Sequence, residues 1–142
     1  MNPMFSKSLA IVSATLALAV ASPAMAAGDY FYPSVKNNDP TATLTITNLT
    51  WHGSYNPQLP KSILPAQQAN AALKTVLTYG YSDLEFDANM VNDDGSTVTC
   101  HMWLSIKNAD GTLGGTTATR KVGNPTCSFE AIGSKILFSM SR

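Results

Sequence analysis

From Asp83 to Lys107 the chain alternates between apolar and polar side chains along two arms. Leu84, Phe86, Ala88 and Met90 alternate with Asp83, Glu85, Asp87 and Asn89. Beyond Asn92-Asp93-Asp94-Gly95-Ser96, a second set, Val98, Cys100, Met102, Leu104 and Ile106, alternates with Thr99, His101, Trp103 and Ser105. A period of two marks a strand with one buried face. A three-residue loop, Asp93-Asp94-Gly95, puts Gly95 at the left-handed position that such loops require. It also sets Met90 opposite Val98, Ala88 opposite Cys100, Phe86 opposite Met102 and Leu84 opposite Leu104. A two-residue loop would set each opposite a polar residue, which burial of one face forbids.

The same pattern recurs on both sides of this hairpin. In Ala42-Thr-Leu-Thr-Ile-Thr47, Leu44 and Ile46 point one way and the threonines the other. Near the C-terminus Cys127, Phe129 and Ala131 precede Gly133-Ser134, and Ile136, Phe138 and Met140 follow. A two-residue type II′ turn at Gly-Ser pairs Ala131 with Ile136, Phe129 with Phe138 and Cys127 with Met140. Asn108-Ala109-Asp110-Gly111 and Gly123-Asn124-Pro125 are further turn signals, with a β-leaning segment, Thr116–Val122, between them. Tyr30, Phe31 and Tyr32 read as a first strand or terminal clasp. Pro65–Tyr79 carries two patterns. Ala69, Leu73 and Val76 have helical spacing between Pro65 and Gly80, yet Thr75–Tyr79 is equally a strand. The expectation there is a loop or short helical turn leading into a strand from about Leu73. The turn-punctuated strands predict an all-β fold: a small antiparallel β-sandwich, one domain over residues 27–142.

The first 26 residues have a different character. Lys7 is the only charge before Asp29, an apolar run spans Leu9 to Ala21, Pro23 breaks it, and Ala24-Met25-Ala26 offers small residues at −3 and −1. Basic start, short apolar core and A-x-A site predict a cleavable helical signal peptide, residues 1–26. The run is shorter than the ~20 residues of a spanning helix. No cysteine stands at the cleavage site for a lipid anchor, so no stable membrane anchor is expected after cleavage. The brief polar start and Ala-rich run are of the bacterial type, and the expected destination is secreted or periplasmic.

Cleavage changes the charge picture only slightly. The chain has nine basic and nine acidic residues, and Lys7 leaves with the leader. A balance near −1 gives no electrostatic case for nucleic acid or an anionic membrane. The two cysteines, Cys100 and Cys127, read as one disulfide in an oxidising compartment. Closing that loop stabilises by about 3.5 kcal/mol in the chain-entropy model. The pairing leaves no free thiolate for catalysis, and the spacing fits no zinc site.

The hairpin register carries the sharpest functional expectation. On its polar face Asp87 lies opposite His101, Glu85 opposite Trp103 and Asp83 opposite Ser105. This is a recognition face anchored by Trp103, an acid–base pair of Asp87 with His101, or a solvated face whose cross-strand pairs add a few tenths of a kcal/mol. A covering by other strands or a loop is a fourth reading. Trp51 and His52, before Gly53-Ser54-Tyr55, form a second candidate: an indole against which a sugar ring could lie, or a strand end capping the core. No G-x-S-x-G or calcium-loop pattern is present, and Asp93 and Asp94 are explained by their turn. Asn48-Leu49-Thr50 matches a glycosylation sequon, which means little in a bacterial host. No catalytic residue, metal ligand or cofactor is assigned. The sequence implies an exported binding or interaction module whose candidate residues are Trp103, His101, Asp87, Glu85, Trp51 and His52. Its expected partner is a protein or a carbohydrate. A small hydrolase using His101 with Asp87 and a membrane-active or host-directed effector are the alternatives.

Overall fold

The computed structural model describes residues 30–75 and 80–142. Residues 1–29, on which the expected signal peptide falls, and 76–79 lie outside them. The described residues are all-β, in eleven strands: β1 (Tyr30–Asn37), β2 (Leu44–Trp51), β3 (Ser54–Tyr55), β4 (Ser62–Ile63), β5 (Gln68–Asn70), β6 (Leu73–Lys74), β7 (Tyr81–Val91), β8 (Thr97–Lys107), β9 (Leu113–Val122), β10 (Thr126–Ile132) and β11 (Lys135–Ser141). The first sheet has the order β10-β11-β1-β6-β3, with β5 also on β1; the second has the order β4-β2-β7-β8-β9.

The central hairpin follows its alternation. All eleven β7–β8 pairs have the predicted register, from Tyr81 with Lys107 to Val91 with Thr97, including Asp87 with His101 and Glu85 with Trp103. Gly95 takes φ +85° and donates its N–H to Asn92. Asp94 holds the loop by accepting from the Ser96 N–H at 2.9 Å and hydroxyl at 2.6 Å. In β2 Leu44 and Ile46 are buried and Thr45 and Thr47 exposed. The C-terminal hairpin pairs Ala131 with Ile136, Phe129 with Phe138 and Cys127 with Met140, as the Gly-Ser turn requires.

Two expectations need correction. The pairing is mostly antiparallel, but β1 runs parallel to β11, with Tyr32 beside Lys135 and Asn37 beside Met140. Alternation within a strand says nothing of its neighbour's direction, so this pair could not be read from pattern. Residues 65–75 contain no helix; Gln68–Asn70 and Leu73–Lys74 are short strands beside β1. The start of a strand at Leu73 stands, while the helical spacing of Ala69 and Leu73 is lost to sheet pairing.

The inner faces of the two sheets share one core. Phe31, Val35, Leu73, Ile136, Phe138 and Met140 come from the first sheet, and Leu44, Leu84, Phe86, Met102 and Leu104 are among those from the second. Phe86 and Phe138 meet edge to face across the layers, with centroids 5.6 Å apart. Burying side chains of this size stabilises by roughly 1.5–3 kcal/mol each. Cys100 on β8 and Cys127 on β10 form the predicted disulfide, Cα atoms 5.8 Å apart, and so tie the second sheet to the first. A polar clamp ties them again. Asn37 donates to the Ala42 and Ile63 carbonyls, and Asp39 accepts from the Thr41 and Ala42 N–H groups. Arg142 grips Asp39 from the end of the chain and reaches Asp93 in the hairpin loop.

Candidate functional site

The outer face of the second sheet is a set of cross-strand rows. Thr47, Asp87, His101 and Thr119 form one; Thr50, Glu85, Trp103 and Thr117 the next; Asp83, Ser105 and Gly115 a third. Four of the six candidate residues, Trp103, His101, Asp87 and Glu85, therefore share one neighbourhood. They do so because they fall at odd positions on two arms whose even positions are buried.

Asp87 is the centre of this face and is itself buried, at 3% exposure. Its Oδ2 accepts from Lys121 Nζ at 2.6 Å and from Asn48 Nδ2 at 2.9 Å, and its Oδ1 lies 2.8 Å from His101 Nδ1. Burial alone raises the carboxyl, but hydrogen bonds from Lys121, His101 and Asn48 outweigh it and bring Asp87 down to about 2. Two bulges deliver those partners. In β2 the register shifts between Thr47 and Thr50, with Asn48 at φ +53°; in β9 it shifts so that Lys121 is left without a partner on β8. A bulge re-aims a side chain. Here it sends Asn48 to Asp87 from one neighbouring strand and Lys121 across β8 from the other side.

His101 bridges two acids. Its Nε2 is 2.8 Å from Glu85 Oε1, and its Nδ1 faces Asp87. An ionised carboxylate only accepts, so both contacts are hydrogen bonds at once when the ring carries both protons. With each nitrogen engaged by a carboxylate, the ring couples Glu85 to Asp87 and does not face a nucleophile. General-base work would require Glu85 to release Nε2.

Beside this polar cluster lies an aromatic pair. Trp103 packs over Gly115, where a Cβ would come within 2.9 and 3.0 Å of the indole. Tyr81 packs over Gly114, where a Cβ would sit 2.8 Å from the phenol ring. Ser105 stands between them on the same face and is buried, at 4% exposure. The consecutive glycines remove two side chains from β9 and let two rings settle against its backbone.

Trp51 and His52 are elsewhere. Trp51 ends β2 opposite Leu84, packs against the core, and donates Nε1–H to the Ser54 carbonyl at 3.2 Å. His52 is exposed in the turn that follows. The neighbouring Tyr55 hydroxyl accepts from the Leu59 N–H at 2.8 Å, and burial pushes its pKa up to about 12 despite that bond. The structure does not bring this pair together with Trp103.

Sequence reasoning missed Tyr81, Asn48, Lys121 and the glycine pair. A Gly-Gly doublet directly before a β-leaning stretch is a usable signal once the strand is seen to start at Leu113, because glycine in a strand marks close approach of another group. The bulges left no such trace. Among the described residues no group of histidine, cysteine, aspartate or glutamate is arranged to hold a metal ion, and no helix is long and apolar enough to cross a membrane. Comparison with protein-family models found no match, and comparison with curated proteins found none either.

Proposed function

We propose that this protein is an exported carbohydrate-binding module, a β-sandwich that takes a neutral sugar on the outer face of its second sheet. The observation that carries the reading is the aromatic pair, Trp103 and Tyr81, set over Gly115 and Gly114 beside exposed carboxylates. A pyranose has an apolar C–H face that stacks on an aromatic ring and a rim of hydroxyls that need acceptors. Asp83 and Glu85 supply acceptors at the edge of the rings, and Thr50 and Thr117 add hydroxyls in the Trp103 row. A protein-binding hot spot would want a larger dry apolar centre than two rings ringed by polar groups. The disulfide supports an oxidising compartment, and the leader pattern supports export by signal-peptide cleavage.

Binding to a panel of neutral oligosaccharides, read by tryptophan fluorescence and calorimetry, tests this. At least one hexose-based oligomer should bind, and Trp103→Ala should weaken it about tenfold or more, in line with the loss of an aromatic stack and its buried area. Trp51→Ala should leave the affinity unchanged. No binding across the panel, or binding indifferent to Trp103→Ala in a folded variant, would overturn the reading.

A further inference from the structure

The sheet edges among the described residues are not alike. β3 and β4 are two residues long, and β5 is three. β9 is long, but its register shifts near both ends and it carries Arg120 and Lys121. Short length, bulges and basic side chains are the usual guards against edge-to-edge pairing. β10 has none of them. Its seven residues, Thr-Cys-Ser-Phe-Glu-Ala-Ile, pair with β11 in unbroken register, without proline, lysine or arginine.

The side chains of β10 are also undercovered. Phe129 lies on the core-facing side opposite Phe138, yet it is 44% exposed while Phe138 is fully buried. Ala131, opposite the buried Ile136, is exposed. Ile132 is 68% exposed. The start of the strand is held by the disulfide and by Arg120 Nε donating to the Pro125 carbonyl at 2.8 Å. Exposed apolar area grows beyond that anchor, where one more strand would cover it.

We propose that the missing strand is β10 of a second copy, paired antiparallel about a two-fold axis through Phe129. The strand's own sequence is self-complementary in one register. Core-facing side chains must meet core-facing side chains, so only every second register is allowed. A two-fold at Glu130 would set two carboxylates against each other. A two-fold at Ser128 would leave Ile132 unpaired. The two-fold at Phe129 pairs all seven residues: Thr126 with Ile132, Cys127 with Ala131, Ser128 with Glu130, and Phe129 with its own copy. It sets no two charges directly opposite each other and brings both Phe129 and Ile132 into the pairing. Such an interface is isologous and closed, so it stops at a dimer. It is independent of the sugar face, which lies on the other sheet.

Sedimentation equilibrium of the disulfide-intact protein over a wide concentration range should show a reversible monomer–dimer equilibrium. Phe129→Lys and Ile132→Lys, both at exposed positions, should shift it to monomer while keeping the thermal transition. Facing residues in an antiparallel pair have Cβ atoms about 4.5–5.5 Å apart. Phe129→Cys should therefore oxidise to a covalent dimer, whereas Ile132→Cys, facing Thr126, should not. A monomer at every concentration overturns the proposal. A dimer untouched by both lysine variants, or cross-linking at 132 as efficient as at 129, overturns it as well.

Discussion

A single buried carboxylate organises the outer face. Asp87 sits on a strand whose other outward residues are mostly solvated, and it stays charged because three donors converge on it. A carboxyl held below its ordinary value contributes stability that is complete above that value, near 3.8, and is lost as the pH falls through about 2. Asp39 is held still lower by Arg142 against the cost of burial, so the protein keeps some acid sensitivity without Asp87. Asp87→Asn should therefore lower stability at neutral pH by roughly 1–2 kcal/mol, a figure that allows for the half-exposed Lys121. The difference from wild type should shrink between pH 4 and pH 2. Urea denaturation at a series of pH values checks both points, and a constant difference across that range would contradict the account. The pairing of Asp87 with His101 was legible in the sequence, because loop length and alternation leave one register. The burial of Asp87 was not, because Asn48 and Lys121 reach it only through bulges that no residue pattern announces.

At the scale of elements, the hairpin of β7 and β8 is the best specified part of the chain. Its loop needs one residue at positive φ, and Gly95 supplies it at +85°. Gly95→Val should destabilise by about 1 kcal/mol or more, because a branched Cβ is poorly tolerated there. A shift of the denaturation midpoint measures this, and an unchanged midpoint would show that the loop adopts another form. The pairing of β10 with β11 was equally legible, but its burial was not. Alternation places Phe129 on the inner side of a sheet; whether another layer extends far enough to cover it depends on where the second sheet ends. The disulfide joins these two stories, since it fastens β10 to β8. Replacing Cys100 and Cys127 together by serine should lower stability by about 3–4 kcal/mol with the sheet content by circular dichroism retained. Full loss of β structure in the variant would mean that the bridge is required for folding itself.

For the whole molecule, the fold class followed from punctuation and alternation, while the topology did not. Short strands such as β3 and β4 leave too few residues for a period, and the partners of β1 lie far away in sequence. The proposed compartment rests on the signal-peptide pattern of residues 1–26. Mass spectrometry of protein recovered from the exported fraction should find Ala27 at its N-terminus, and retention of residues 1–26 there would refute the cleavage site.

The parallel pair of β1 and β11 sets a timetable. Tyr32 pairs with Lys135, so β1 waits for a neighbour that is synthesised roughly a hundred residues later. On its other side β1 has only the short β5 and β6. The first sheet therefore cannot close from the front of the chain as it emerges, and contacts so distant in sequence form slowly. For a chain exported as proposed above, that delay has a use: the strand that completes the first sheet is among the last to arrive, so a precursor still in transit lacks the neighbour that β1 needs.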